Sequence, residues 1–318
     1  MAEVKQVHDE KLDAHTHPVF IPGKFELHHL VDACISKGVT CLGITDFSTP
    51  EKTDFRYLDF SGNRGYSMPS KFGRSYEVLD KQAGWLAVSR KQDGVENIVQ
   101  IYRGQEVPTK EGHVLLFNLP IQIPVGADGG LISMGEAIKQ AKDQDGIVIA
   151  DHPYVKIWWG MGRRVLEEHL DDFDAVEWNG QCINLLPDKY EDAVMSMGLF
   201  RLWPFNFVRD AYQKGSNISA LYFAQTHKKP LIATSDMHMS RLFGIGGNAS
   251  QIGLGNISFE NPNGKGKRIE SFDLRDILNS ERYKNHTTFN TRAEFLKWAV
   301  PNRLNAVLER FNLLHGDN

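Results

Sequence analysis

Seven runs of strand length, each rich in β-branched or bulky apolar residues, recur along this chain: "KLDA" (11–14), "GVTCLGIT" (38–45), "NIVQIYRG" (97–104), "HVLLFNL" (113–119), "GIVIA" (146–150), "FDAVEW" (173–178) and "PLIATS" (230–235). Such runs form strands because branched side chains pack well on a pleated surface. Amphipathic stretches lie between them. In "FELHHLVDACISKG", Leu27, Leu30, Val31, Cys34 and Ile35 share one helical face and Gly38 supplies the stop. In "SMGEAIKQAKDQDG", Ser133 followed three residues later by Glu136 reads as a capping box, with the helix ending near Gly146. Alternation of strand and helix argues for a parallel sheet, and seven strands in one chain favour a closed barrel over an open sheet.

One connection cannot obey that pattern. Only six residues, "VPTKEG", separate Glu106 from His113, whereas a parallel pair needs a crossover of about a dozen or more. These two segments must form a hairpin or a sharp corner, which distorts the barrel. The stretch 47–96 also interrupts the alternation, and a connection that long is improbable without a role, so it is expected to be a lid or cap over the site. The chain is expected to be one barrel domain over 1–318, with that inserted segment and a C-terminal helical extension over 265–318.

Composition narrows the class. The chain has 318 residues, 41% hydrophobic and 24% charged, with a formal net charge of -4. These are the values of a globular protein without a general basic footprint for nucleic acid. Cys34, Cys41 and Cys182 are an odd, scattered set, which argues against a disulfide framework and for a reducing compartment. The N-terminal "MAEVKQVHDEKLD" has no apolar core of the signal-peptide kind, and no run of about 18 apolar residues occurs. A cytoplasmic protein without a membrane segment is the expectation.

Chemistry gathers where the strands end. The first run leads into His15-Thr16-His17, the second into Thr45-Asp46, and the third into Gly104-Gln105-Glu106. His113 opens the fourth, His152 follows the fifth, Glu177 lies in the sixth, and the last leads into Asp236-Met237-His238. In parallel α/β barrels the strand C-termini share one face, where active sites lie. Alternate residues of a strand point the same way, so His15 and His17 can reach one ion, whereas the adjacent Asp151 and His152 are not expected to. Imidazoles and carboxylates without thiolates suit Zn, Mn or Fe better than Ca.

In order, HxH, "ITD", "GQEV", "EGHVLLF", "DHP", "EWNG" and "TSDMH" resemble the polymerase and histidinol phosphatase (PHP) family of metal-dependent phosphoesterases, from about Leu12 to His238. The resemblance implies an α/β fold, a distorted seven-stranded (β/α) TIM-like barrel with two or three divalent metal ions at the strand C-termini. It implies His15, His17, Glu106 and Asp236 at a first metal, and Glu106 bridging to a second completed by His113 and His152. His238 would serve a third. The family's pattern has further third-metal ligands where this chain has Phe47 and Gly23, so two firmly held ions are expected and a third that is weak, absent or completed by another group. His28 or His29 could complete it. Asp46 and Glu177 would hold ligating imidazoles from behind.

Two metals bridged by a carboxylate can hold a hydroxide between them and drive in-line displacement at phosphorus. Hydrolysis of a phosphate ester is therefore the expected reaction, with His17, His238 and Asp236 assisting at the reacting group. Arg241, Lys156, Arg163 and Arg164 lie in segments after ligand-bearing strands and are candidates to bind the phosphate. Trp158 and Trp159 could stack on a base or sugar, or simply pack their loop. A small phosphorylated substrate is favoured over nucleic acid because the segment 47–96 is expected to narrow the cleft, and the acidic net charge points mildly the same way. The rival readings are a single-strand nuclease, an amidohydrolase-type enzyme, and a non-catalytic descendant that keeps its metals.

Overall fold

The computed structural model describes residues 9–18, 27–45, 76–82, 85–92, 94–123, 131–154, 160–179, 214–238, 252–264, 267–269, 271–280 and 282–287. All seven expected strands form one sheet, neighbours in sequence being neighbours in space: β1 (Asp9–Asp13), β3 (Cys41–Ile44), β6 (Val95–Thr109), β7 (Gly112–Phe117), β8 (Ile147–Ala150), β9 (Ala175–Asn179) and β10 (Leu231–Thr234). Glu106 and His113 do lie on a hairpin. β6 and β7 pair antiparallel, with Pro108 opposite His113, and β7 also meets β8 antiparallel. β7 is therefore reversed relative to its neighbours, and its first residues lie at the end where the parallel strands finish.

The strand count differs from expectation. Beyond β1 the sheet continues through β12 (Gly255–Glu260) and β13 (Tyr283–Thr287), both antiparallel, so nine strands lie on its main path rather than seven. The reason is visible in "GNISFE": Ile257 and Phe259 alternate with polar residues and face the barrel interior. The segment expected as a helical extension supplies one helix, α5 (Ser271–Asn279), and then the sheet strand β13. Residues 288–318 lie outside the described residues.

The ring is nearly closed, by side chains rather than a backbone ladder. Asn285 accepts from the Ala233 amide at 2.6 Å and donates to the Leu231 carbonyl at 2.7 Å, while Tyr283 Oη accepts from the Leu231 amide at 3.1 Å. A Cβ on Gly255 would sit 1.9 Å from the Thr234 carbonyl oxygen. Only glycine permits that approach, which brings β12 against β10.

Part of 47–96 also departs from expectation. β4 (Tyr76–Gln82) and β5 (Trp85–Gln92) form a hairpin, and β5 pairs with Val95–Tyr102 of β6. This part runs beside the lower half of β6, away from Glu106, rather than over the strand C-termini. Residues 46–75, where the rest of the expected lid falls, lie outside the described residues.

Helices cover the outer face. α1 (Leu27–Lys37) buries Leu27, Leu30, Val31 and Cys34 against β3, β5 and β6. α2 (Met134–Lys142) is capped by Ser133, whose hydroxyl accepts from the Glu136 amide. With α3 (Gly162–Glu168) and α4 (Lys214–His227), it packs on Val114, Leu116, Val148 and Val176. α5 closes the barrel's N-terminal end, burying Leu274, Ile277 and Leu278 among the interior residues. Arg275 pins it there, donating to Asp145 Oδ1, the Gly146 carbonyl and Asp174 Oδ1.

Candidate metal centre

Strand parity explains how the site is assembled. On β8, Ile147 and Ile149 point into the barrel, so Asp151 continues the same row; on β9, Ala175 does the same for Glu177. On β10 the inward row runs Ile232, Thr234, Asp236, and on β6 it runs Tyr102, Gly104, Glu106. A Cβ on Gly104 would lie 2.5 Å from Phe117 Cε1, so that glycine lets the Phe117 ring lie directly beneath Glu106. His113 arrives from the reversed strand β7. His15 and His17 come from the end of β1 and from β2 (Thr16–His17), which leaves the main sheet and pairs in parallel with β11 (Met237–His238). Asp13 ties this rim together by accepting from the Ser235 and Gly253 amides at 2.9 and 2.8 Å.

Four imidazoles and four carboxylates meet there, all buried: His15, His17, His113 and His152 with Glu106, Asp151, Glu177 and Asp236. Glu106 is central. Its Oε1 is 2.5 Å from His113 Nδ1 and 3.5 Å from His152 Nε2, and its Oε2 is 3.2 Å from His17 Nε2 and 3.9 Å from His15 Nε2. The Nε2 atoms of His15 and His17 lie 2.9 Å apart, and Asp236 Oδ1 stands 3.4 and 3.8 Å from them. Glu177 holds the cluster from behind. It accepts from His15 Nδ1 at 2.7 Å, from the His152 amide at 2.6 Å and from Thr234 Oγ1 at 2.5 Å. With Nδ1 so engaged, His15 turns Nε2 towards Glu106 and Asp236, the arrangement that fixes tautomer and ring direction in metal-ligating histidines.

The electrostatics call for positive charge. Burial alone would lower the pKa of His15, but Asp236 and Glu177 raise it to about 10. His152 is raised despite its burial, chiefly by Glu106. Burial pushes Asp151 well above the usual carboxylate range, and the neighbouring Glu106 and Glu177 add to it. Glu106 is held well below that range in spite of burial, because His113 faces it. With neutral imidazoles the four carboxylates carry a charge that about two divalent cations would cancel, and buried charge left uncompensated is strongly unfavourable. Both oxygens of Glu106 and both of Asp151 are buried and accept no hydrogen bond of regular geometry, as expected of oxygens whose partner is an ion. The donor set, nitrogen and carboxylate oxygen, fits Zn, Mn or Fe.

Two of the cluster's residues have strained backbones. Of the five non-glycine residues with positive φ among the described residues, His152 at 21° and Asp236 at 48° belong to the cluster, and such strain collects at functional sites. Asp151 is the residue that sequence reasoning passed over. Strict alternation sets it apart from His152, but the unusual φ at His152 turns both side chains to one point. The parity of "GIVIAD" pointed to Asp151 all along.

Other candidates fall elsewhere. Arg163 and Arg164 lie exposed on α3 and pair with Glu167 and Glu168 one turn on, not with the cluster. His28 and His29 sit half-buried on α1, ring centroids 3.9 Å apart, and do not join the ligand groups. Asp46, Phe47, Gly23, Lys156, Trp158, Trp159 and Arg241 lie outside the described residues, as does the side chain of His238.

Comparison with known proteins adds little detail. No protein-family model matches the sequence. An uncharacterized protein of Methanocaldococcus jannaschii is 33% identical over 102 residues, which is 31% of this chain and 54% of that protein. The chain thus spans about half the length of the curated relative it matches. Among solved structures, it is similar to a two-domain protein from Bacteroides vulgatus containing a predicted PHP-like metal-dependent phosphoesterase. There the TM-score is 0.47 with 14% identity, covering 88% of this chain and 65% of that one.

Proposed function

We propose that this protein is a metal-dependent hydrolase of the PHP type that cleaves a phosphate ester, as a phosphatase or phosphodiesterase acting on a small phosphorylated molecule. The observation that carries this reading is Glu106, whose two oxygens face two different imidazole pairs, His113 with His152 and His17 with His15. That is the disposition of a carboxylate bridging two ions. His15, His17, Glu106 and Asp236 would hold one, and Glu106, His113 and His152 the other; His238 belongs to a third position if one is filled. When bound, a divalent pair lowers the pKa of water towards neutrality and stabilises both the attacking and the leaving oxygen of an in-line displacement.

The protein's own part is to orient and to exclude water. Glu177 fixes the direction of His15, and the buried walls keep the dielectric low, so each charge acts more strongly on a phosphoryl group. Asp236 flanks the first position, and its oxygen not engaged with an ion could take up the proton that the nucleophile releases, while His17 helps to hold the ion. Lys156 and Arg241 follow β8 and β11 in sequence and are the cations assigned to the phosphate. Cys34 and Cys41 are free, buried thiols, in keeping with a cytoplasmic setting. Among the described residues no helix is long and apolar enough to cross a membrane.

The test combines elemental analysis with a screen of phosphorylated metabolites and short oligonucleotides, with Mn²⁺ or Zn²⁺ supplied. Wild type is expected to carry about two ions per chain and to hydrolyse a member of the panel, whereas the double variant His15→Ala, Asp236→Ala turns over nothing. Normal metal content without turnover of any substrate would favour a metal-binding protein without catalysis.

A further inference from the structure

We infer that Asp151 is a direct ligand of the ion assigned to Glu106, His113 and His152, so that this position is enclosed by four protein donors lying close together, whereas at the His15 and His17 position Asp236 stands apart from the compact group. The inference rests on the two-ion reading above and adds a ligand to it.

The contrast between two equally buried acids carries the argument. Glu177 receives three hydrogen bonds, so its burial is accounted for within the protein. Asp151 is fully buried and neither oxygen accepts a hydrogen bond of regular geometry. An acid in that condition takes up a proton or a cation, and the two imidazole nitrogens that share its surroundings with Glu106 make it a cation site. Its Oδ2 lies 3.2 Å from His152 Nε2 and 3.9 Å from His113 Nδ1, and Glu106 Oε1 lies 3.5 and 2.5 Å from the same two nitrogens. Those four separations straddle about 3.3 Å, the edge of a tetrahedron whose bonds are about 2.0–2.1 Å long. The backbone is bent for the purpose: φ of 21° at His152, held by its amide on Glu177, aims two consecutive side chains at one point.

The other position differs. His15, His17 and Glu106 form a compact three-donor group, and Asp236, the fourth ligand assigned there, lies outside it, 3.4 and 3.8 Å from the two imidazoles. The ion within the compact four-donor group is therefore held the more tightly, and the one beside Asp236 exchanges more readily.

A competing role for Asp151 is to steer His15, whose Nδ1 is 3.3 Å from Asp151 Oδ1. Titration with Zn²⁺ against a chromophoric chelator separates the two. In wild type, two ions of unequal affinity are expected; in Asp151→Asn the tighter one weakens by at least about tenfold while the weaker is unchanged. Adding Asp151→Asn to His113→Ala, which already lacks the enclosed ion, should then change nothing. A further loss in that background means that Asp151 acts through His15, and unchanged affinities in the single variant overturn the inference equally. Folding is checked without metal. Metal-free Asp151→Asn should be at least as stable as metal-free wild type in urea, with a smaller rise in Tm on adding Zn²⁺; a less stable metal-free variant would show a structural partner instead. Should wild type bind no Zn²⁺, both readings fall, whereas two ions with no phosphate-ester hydrolysis would remove the function and leave the ligand in place.

Discussion

The inside of this barrel holds two buried layers built from the same strands. The lower one is apolar: Leu12, Leu115, Phe117, Ile149, Ile232, Ile257 and Phe259, sealed by α5. The upper one, two residues further along several of these strands, is the cluster of imidazoles and carboxylates. Burial is nearly complete in both, yet it contributes in opposite directions. Removing apolar surface from water in the lower layer stabilises the fold by about 25 cal/mol per Å². Removing charge from water in the upper layer opposes folding until a cation compensates. The Phe117 ring, admitted beneath Glu106 by Gly104, is the partition between them. Stability is thus expected to reside below the partition and metal affinity above it.

The sharpest way to break that division is Glu106→Gln. Removing the shared carboxylate should deplete both ions and lower turnover by more than the roughly 10–100-fold that loss of an outlying partner costs. Metal-free stability should fall by less than on truncating a residue of the lower layer, since only the pairing of Glu106 with its imidazoles is lost. Elemental analysis and urea denaturation of the same preparation check both halves, and a large loss of metal-free stability would show that the upper layer carries the fold as well.

Phe117→Ala probes the lower layer. It should cost about 3–5 kcal/mol of stability, the range for truncating a buried phenylalanine, while the folded fraction binds the usual metal complement. If its metal content drops as far as that of Glu106→Gln, the partition is not a partition.

The smallest effect expected is one of pH on metal-free protein. His15 has its pKa raised from 6.5 to about 10 despite burial, through Asp236 and Glu177. A raised imidazole stabilises the fold fully below its unfolded pKa of about 6.5 and loses that contribution as pH rises through about 10. Denaturation midpoints of the metal-free wild type should decline across that window. In His15→Gln the decline should flatten, and in Phe117→Ala it should persist from a lower starting point.

Much of this was legible in the residues. The seven runs of β-branched residues became neighbouring strands because alternation and length are local properties, and the short "VPTKEG" connection forced the hairpin of β6 and β7 by reach alone. The alternation of "GNISFE" is local, but the place of β12 beside β1 is not, because Leu12 and Ile257 lie far apart in the chain. β5 was harder. Trp85, Leu86, Ala87 and Val88 are all buried, so "WLAV" shows no period of two, and its surroundings read as a cap. At the site, the histidines and Glu106 stood out by position at the strand ends. Asp151 did not, since its inward direction follows from parity with Ile147 and Ile149 and its meeting with His152 from a backbone angle that no residue type announces.

What the sequence determined alone is the periodicity: which segments are strands, which side chains share a face, and that ionisable residues follow apolar ones at the strand ends. These depend on bonding geometry within a few residues. What only the tertiary structure decided is convergence. That Glu106 presents one oxygen to each of two imidazole pairs depends on how far the sheet curls. That β12 and β13 complete the ring depends on Gly255 meeting Thr234 across a gap of about twenty residues in the chain. Both are distances between remote segments, set by the packing of the whole barrel.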